Sequence, residues 1–311
     1  MRLPRRWPRW LGRSGSARSL AGRSGDAWRS LRRIDGTQWA LMAALLALAA
    51  FMMLPIVYLF NQALKPYHEL FLFPPTYFAK DPTLLNFTDL LNSTNRSFIP
   101  FSRLVFNTVL VTVVTAAGMI ATSAFCAYAL SKHPFPGNKA LFTVVLLSLM
   151  FVPETMEIPR YIVVQYLGIM NTYWAHILPV ISLPVGVFLL KQFIDQVPGE
   201  LIEAAKIDGA GETGTFLRIV VPVIMPALAT VGILAFQNVW GNLETSKYFM
   251  QDEAMKTLTF FLSTLTQNLA NSVAMQGVAA AGALIIFLPQ LIIFIFFQRK
   301  VIATMAHSGI K

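Results

Sequence analysis

The chain has 311 residues, of which 55% are apolar and only 13% are charged, and its mean hydropathy is +0.58. Soluble domains carry about a quarter charged residues, so this deficit excludes an ordinary soluble domain and favours a chain that folds in lipid. The net charge of +10 does not indicate nucleic-acid binding, because ten of the 25 basic residues are arginines between Arg2 and Arg33, ahead of any apolar segment. The single Cys126 excludes an intramolecular disulfide and a cysteine-only metal site.

Six segments are long and apolar enough to cross a membrane, for which a helix needs about 20 residues. The predicted spans are residues 39–64, 104–130, 140–158, 173–190, 219–240 and 277–297. The predicted fold is therefore all-α and integral to the membrane, with six transmembrane helices. The predicted parts are a basic cytoplasmic tail (1–38), the first transmembrane helix with an outer loop (39–102), a core transmembrane domain (103–298) and a cytoplasmic C-terminal tail (299–311).

Lysine and arginine residues set the predicted orientation. The side of the membrane that holds the N-terminus carries 18 of them, and the opposite side carries seven. Because cytoplasmic loops are enriched in these residues, both termini and the loop at residues 191–218 are predicted to be cytoplasmic. The arginine-rich leader has no predicted role beyond orientation.

The loop includes EAAKIDGAGETGTFLRIVVP, residues 203–222, a charged stretch between two predicted spans. Good helix formers lead up to Asp208-Gly209, where glycine is expected to end the helix in a left-handed turn. Thr213 or Thr215 is then expected to cap a second short helix. The result is a predicted helix-turn-helix. Its two alanines, Ala204 and Ala205, leave a helix surface without bulky side chains, which a partner protein could approach closely. On these features alone, a loop that is merely solvated remains an equal alternative.

Catalytic and nucleotide-binding motifs do not fit the sequence. Gly209, Gly211 and Gly214 match G-x-G-x-x-G, but a dinucleotide fold needs a strand before this motif, and here a helix-forming stretch precedes it. No P-loop motif occurs, the histidines lack metal-ligand spacing, and no catalytic triad is suggested. We therefore expect no enzyme activity, no metal and no cofactor in this chain.

The loop resembles the EAA signature of permease subunits of ATP-binding-cassette (ABC) importers. The residues that carry the resemblance are Glu203, Ala204, Ala205, Asp208, Gly209, Ala210, Phe216, Ile219, Pro222 and Pro226. Further similar pieces are FNTVLVT (106–112) and AYALSK (127–132), and the tail QRKVIATMAHSGIK is similar to the sugar-importing, maltose-type branch. The resemblance covers roughly residues 100–311.

The resemblance implies that residues 196–219, called the coupling loop below, dock in a cleft of a separate ATPase. On this basis Glu203 would contact the ATPase, Ala204 and Ala205 would allow close approach, and Gly209 would form the turn beside Asp208. The implied partners are a second permease, two ATPase subunits that bind ATP and Mg, an external solute-binding protein and membrane lipid. The implied location is the bacterial plasma membrane, crossed several times. The rival hypothesis is a self-sufficient channel or an ion-coupled carrier.

Polar residues near the outer end of the fifth predicted span are candidates for a solute pathway, since such residues in spans usually face a cavity or a partner helix. A sugar requires amide or carboxylate groups for its hydroxyls and an aromatic face for its C–H side. The candidates are Gln237, Asn238, Trp240 and Asn242 at this end, together with Glu154 of the third predicted span. For Asn238 and Trp240 a structural role is equally open, and Glu154 is expected to be structural or to act as a gate.

Overall fold

The computed structural model describes residues 36–74, 76–95, 99–269 and 272–308, without the side chains of residues 93–95 and 299–308. Residues 1–35 of the predicted basic tail and the last three residues lie outside this description. The described residues form helices and turns, and no strand occurs among them. The helices are α1 (Gly36–Leu64), α2 (Tyr67–Leu70), α3 (Leu85–Asn95), α4 (Phe101–Lys132), α5 (Asn138–Ser148), α6 (Glu157–Tyr166), α7 (Tyr173–Ile177), α8 (Pro184–Asp195), α9 (Gly199–Ile207), α10 (Glu212–Thr215), α11 (Val221–Val223), α12 (Met225–Trp240), α13 (Glu244–Phe249), α14 (Leu258–Leu269) and α15 (Gln276–Ser308).

Three of the predicted spans are long apolar helices in the described chain. They are α1 with 29 residues, α4 with 32, and Val273–Gln298 with 26. The other three predicted spans are broken into helix pairs, which differs from the continuous segments read from the sequence. The pairs are Asn138–Ser148 with Pro153–Tyr166, bent by 107°, Tyr173–Val180 with Pro184–Asp195, bent by 49°, and Glu212–Val223 with Met225–Trp240, bent by 86°.

Prolines account for two of the breaks. Pro153 begins a new helical turn after the break that follows Ser148, at a position where its missing N–H costs nothing. Pro226 has no N–H to donate to the carbonyl of Pro222, and the chain bends beside it at Ile224. A proline does not by itself break a helix in this chain, because α15 continues through Pro289.

The larger hydrophobic core is centred on α4, which packs against α8 and α12. Close contact depends on Gly186 in α8, since a Cβ there would lie 2.8 Å from the Ser123 hydroxyl oxygen and 3.1 Å from Cγ1 of Val231. The Ser123 hydroxyl donates to the carbonyl oxygen of Leu183 at 3.3 Å. Small residues and hydrogen bonds between helices are the means by which helices associate in an apolar solvent.

A second core joins α15 to α14, α3 and the C-terminal end of α1. The Asn86 side-chain amide donates to the carbonyl oxygens of Ala63 and Lys65 at 2.8 Å each, which ties α3 to the end of α1. The largest buried side chains of this core are Leu90, Leu104, Leu262 and Leu284.

The chain divides into two compact units, Met1–Val57 and Tyr58–Lys311. The described part of the first unit is most of α1, and its large apolar side chains are exposed. The second unit contains both cores and all candidate site residues, and it also exposes large apolar side chains such as Val113, Phe125 and Leu147. Exposed apolar surface of this extent is expected of a chain that contacts lipid or other membrane subunits.

Candidate functional site

A tight turn at Gly209 separates the two helices of the coupling loop. Gly209 has φ +80°, a left-handed conformation, and follows the end of α9 at Asp208. The Gly209 N–H donates to the Lys206 carbonyl oxygen at 3.1 Å, and the Ala210 N–H donates to that of Ala205 at 2.9 Å. These paired bonds define a Schellman motif. Nothing lies within 4 Å of a Cβ built on Gly209, so glycine is required there by backbone conformation and not by space.

The second helix, α10, begins after Gly211. Gly211 has an extended backbone with φ −68° and ψ 167°, and no side chain caps the helix. Thr215 lies within the helix, and its hydroxyl donates to the carbonyl oxygen of Gly211 at 3.1 Å. The prediction that Thr213 or Thr215 caps this helix is therefore wrong, and the favourable feature of its first turn is the negative charge of Glu212.

Glu212 joins the coupling loop to α4. Its Oε1 lies 2.8 Å from Lys206 Nζ, its Oε2 accepts from the Tyr128 hydroxyl at 3.1 Å, and His133 Nε2 lies 3.6 Å from the same oxygen. The buried Tyr128 ring packs beside Phe216, with centroids 5.0 Å apart.

The start of the coupling loop is tied to the same end of α4. Lys132 Nζ donates to the carbonyl oxygen of Val197 at 2.7 Å. Asp195, at the end of α8, accepts a hydrogen bond from the Ser131 hydroxyl and pairs with Lys191 at 2.7 Å. Residues 128–132 of α4 therefore hold both ends of the loop.

The outward face of α9 contains most of the residues that were predicted to meet an ATPase. Glu203, Ala204, Asp208 and Gly209 are exposed. Ala205 is only 5% exposed and faces the rest of the chain. This differs from the expectation that both alanines form an accessible surface, so the accessible small residue on this helix is Ala204.

An open cleft of about 860 Å³ lies beside the end of α12. It is bounded by the broken segment between α5 and α6, by the start of α8 and by the turn that leads into α13. The predicted pathway residues Glu154, Asn238 and Asn242 line this cleft. The remaining charged or hydroxyl-bearing lining residues are Ser148, Arg160, Ser182 and Glu244.

Arg160 and Glu244 form an ion pair across the cleft wall. Arg160 Nη1 donates to Glu244 Oε2 at 3.0 Å, and the two side chains are 24% and 30% exposed. The pair joins α6 to α13. Neither residue was among the candidates named from the sequence. The sequence did contain signals for both, because Arg160 is a lone arginine in an apolar stretch and Glu244 follows Asn242 by two residues.

Trp240 and Gln237 lie outside the residues that line the cleft. Trp240 Nε1 donates to the carbonyl oxygen of Ile286 in α15 at 2.9 Å, and its ring stacks on Phe236 with centroids 5.5 Å apart. Gln237 is exposed at the same end of α12. The structure therefore brings together three of the five predicted pathway residues and gives Trp240 a packing contact.

Asn242 is held in place by a buried network. Its Oδ1 accepts from the Thr245 N–H and hydroxyl at 3.0 Å each. Thr245 Oγ1 lies 2.9 Å from Nδ1 of His176, whose Nε2 donates to the Met255 carbonyl oxygen at 3.0 Å. His176 is completely buried, and the sequence offered no signal for it beyond a histidine in an apolar segment.

A second polar cluster lies in the loop that follows α1. The Glu69 carboxylate is buried and accepts from the N–H groups of Lys80 at 3.0 Å and Asp81 at 2.8 Å. The Lys80 hydrogen bond has the largest effect in holding the pKa of Glu69 below 4.5, and burial opposes it. Possible metal-ligand atoms of His68, Glu69 and Asp81 lie within 4.8 Å of one another, but the backbone donors already engage the Glu69 carboxylate. The cluster therefore organises the loop.

Residues 138–305 match the family described as "binding-protein-dependent transport system inner membrane component". The match covers more than half of the chain and contains the coupling loop and all of the residues that line the cleft. The chain belongs to this family. It is a membrane protein and a permease subunit of an ABC importer.

Two similar proteins cover most of the chain. The arabinooligosaccharides transport system permease protein AraQ of Halalkalibacterium halodurans is 35% identical over 66% of this chain and 72% of its own length. The trehalose transport system permease protein SugB of Mycobacterium tuberculosis is 28% identical over 88% of this chain and 97% of its own length.

A solved structure shows that the fold extends beyond the matched family region. The crystal structure of a bacterial ABC transporter involved in the import of the acidic polysaccharide alginate contains a chain that superposes with a TM-score of 0.70. The superposition covers 92% of this chain and 99% of that chain at 18% identity. The similarity establishes a shared fold.

Proposed function

We propose that this chain forms half of a translocation pathway that imports an oligosaccharide or a related solute across the bacterial plasma membrane. It would cross the membrane six times, three of them as bent helix pairs, with both termini in the cytoplasm. The asymmetry of lysine and arginine between the two sides supports this orientation. The names of both similar permeases support a sugar.

The observation that carries the proposal is the exposed face of α9 on a loop fixed at both ends to α4. This face is polar and has a small side chain at its centre, with Glu203, Ala204 and Asp208 exposed. The turn at Gly209 connects α9 to α10. A separate ATPase would bind this face, with Glu203 in polar or ionic contact. Two such ATPases, with their own ATP and Mg, would supply the energy, so this chain would need no cofactor.

The solute would pass along the cleft that contains Glu154, Asn238 and Asn242. Carboxylates and amides are suited to sugar hydroxyls, and a few such groups in a mainly apolar pocket are typical of ligand sites. The cleft is open, and a second permease would complete the pathway. A solute-binding protein outside the membrane would deliver the solute, as the family description implies.

The test is to purify the tagged chain from its native membrane in a mild detergent and to identify the proteins that come with it. We expect an ATPase and a second permease with the wild-type chain. Glu203→Lys should lose the ATPase and keep the second permease. Asp89→Lys, which makes the same charge change at an exposed site in α3, should keep both.

The same preparation separates the proposal from its rival. A chain that purifies alone and moves solute into liposomes without ATP would be a channel or a carrier. Retention of the ATPase by Glu203→Lys at the wild-type level would refute the proposed role of α9.

A further inference from the structure

Hydrogen bonds of α4 reach both the coupling loop and residues 254–258, the segment that precedes α14. Tyr128 lies near one end and Asn107 near the other, and 21 residues of helix at 1.5 Å each separate them by about 30 Å. This distance is close to the thickness of the hydrocarbon core of a bilayer, about 30 Å. α4 also packs along α8 and α12, the helices that flank the coupling loop in the chain.

At the inner end, a single carboxylate connects α9 to α4. Glu212 pairs with Lys206 of α9 and accepts the hydrogen bond from the Tyr128 hydroxyl. Tyr128 is 7% exposed and Phe216 is 4% exposed, so the ring is held firmly against the loop, and the hydroxyl adds a directed hydrogen bond to Glu212. Phe216 begins a π-helical turn, Phe216–Val220, and such turns are frequent at functional sites.

At the outer end, Asn107 and Thr108 bind the segment that precedes α14. The Asn107 side-chain amide donates to the carbonyl oxygens of Ala254 and Lys256 at 2.8 and 2.9 Å. The Thr108 hydroxyl oxygen accepts from the Leu258 N–H at 2.7 Å. Asn107 is completely buried, so this end of α4 cannot move without the 254–258 segment unless these bonds break.

The 254–258 segment continues to the cleft wall through α13. The N–H of Thr257 donates to the Ser246 hydroxyl oxygen at 3.1 Å, and both residues are buried. Ser246 is adjacent to Thr245, which binds Asn242 in the cleft. An unbroken series of packed elements and hydrogen bonds therefore leads from α9 to the cleft, and packed rigid elements of this kind carry energetic coupling between distant sites.

We infer that the Glu212–Tyr128 hydrogen bond is the joint through which movement of the coupling loop is passed along α4 to the outer cleft. The inference rests on the proposed function, because the loop must first be moved by an ATPase. Glu212 and Tyr128 are positioning residues in this scheme. Neither lines the cleft, and Tyr128 is covered by the chain itself.

The test uses the assembled transporter with its own ATPase and binding protein, reconstituted in lipid nanodiscs. Tyr128→Phe removes the hydroxyl and keeps the ring against Phe216, and Glu212→Ala removes the carboxylate. In both variants the binding protein loaded with solute should stimulate ATP hydrolysis at least about five-fold less than in the wild type, the lower end of the usual range for coupled sites. The double variant should be no worse than the stronger single variant, since both changes break one joint.

Tyr166→Phe is the matched control, because Tyr166 is 91% exposed and should be unaffected. Wild-type stimulation in Tyr128→Phe would overturn the inference. Loss of the ATPase from the Tyr128→Phe complex would also overturn it, because the hydroxyl would then serve docking and not transmission. A wild-type chain that binds no ATPase would instead refute the proposed function, so the two failures are distinguishable.

Discussion

The substitution Gly209→Val tests whether the shape of the coupling loop determines how tightly the ATPase binds. Gly209 has φ +80°, and no atom lies within 4 Å of a Cβ built there. The added Cβ therefore meets no other part of the chain, and we assign the cost to the left-handed backbone. That cost is about 1–2 kcal/mol for a residue other than glycine.

A cost of this size lowers the ratio of the docking conformation to the other loop conformations by about 5- to 30-fold. Apparent affinity falls by up to the same factor, because binding requires a conformation that is only fractionally populated. The assay titrates the purified ATPase onto the permease pair in nanodiscs and measures the midpoint of binding. Gly209→Asn should recover part of the affinity, because asparagine tolerates this conformation better than other residues.

Gly211→Val is the matched control for this experiment. It makes the same change two residues away, at a site with equally open surroundings and an extended backbone with φ −68° and ψ 167°, which valine adopts readily. Valine is a poorer N-cap for α10 than glycine, so the affinity of this variant should fall, but by less than that of Gly209→Val. Equal affinities for Gly209→Val and Gly211→Val would refute the reasoning.

Three further substitutions probe the rest of the chain through the thermal unfolding of the purified protein in detergent. Gly186→Ala should destabilise the protein by about 1–3 kcal/mol through overpacking. Gly232→Ala is the control and should not destabilise it, because the added Cβ would lie 3.6 Å from its nearest neighbour. Equal unfolding temperatures for the two variants would contradict the close contact at Gly186. Asn107→Ala removes the buried side chain that donates to the Ala254 and Lys256 carbonyl groups and accepts from the Tyr173 hydroxyl, and it should cost about 1–3 kcal/mol. An unchanged unfolding temperature would show that these bonds contribute nothing. Glu69→Gln should lower the unfolding temperature at neutral pH. Because the pKa of Glu69 is lowered on folding, the difference in unfolding temperature from wild type should be full above pH 4.5 and should shrink as the pH falls below it. A difference that grows towards acid pH would contradict this assignment.

Features set by neighbouring residues in the chain could be predicted from the sequence. The turn at Gly209 follows from local chemistry, because only glycine adopts a left-handed conformation without cost. The long helices α1 and α4 follow from uninterrupted apolar composition. Asn238, Asn242 and Glu154 were named among five candidates, but nothing in the sequence showed that a bend would bring Glu154 to the other two.

Features set by tertiary contacts could not be predicted in this way. Ala204 and Ala205 are equivalent in the sequence, yet successive residues on a helix point about 100° apart, so only one of them can face a partner. Trp240 was considered for the pathway because of its ring, and its N–H instead binds a carbonyl in α15. The partnership of Arg160 with Glu244 joins residues 84 positions apart, which no local pattern reveals.

The most direct test of a permease driven by a separate ATPase is solute uptake into liposomes that contain the purified complex. ATP is enclosed inside or left out, and the solute-binding protein with a radiolabelled oligosaccharide is supplied outside or left out. Uptake should occur only when ATP and the binding protein are both present, and Glu203→Lys in the coupling loop should abolish it. Uptake without ATP, at the rate seen with ATP, would contradict the proposed coupling and identify the chain as a channel or a carrier.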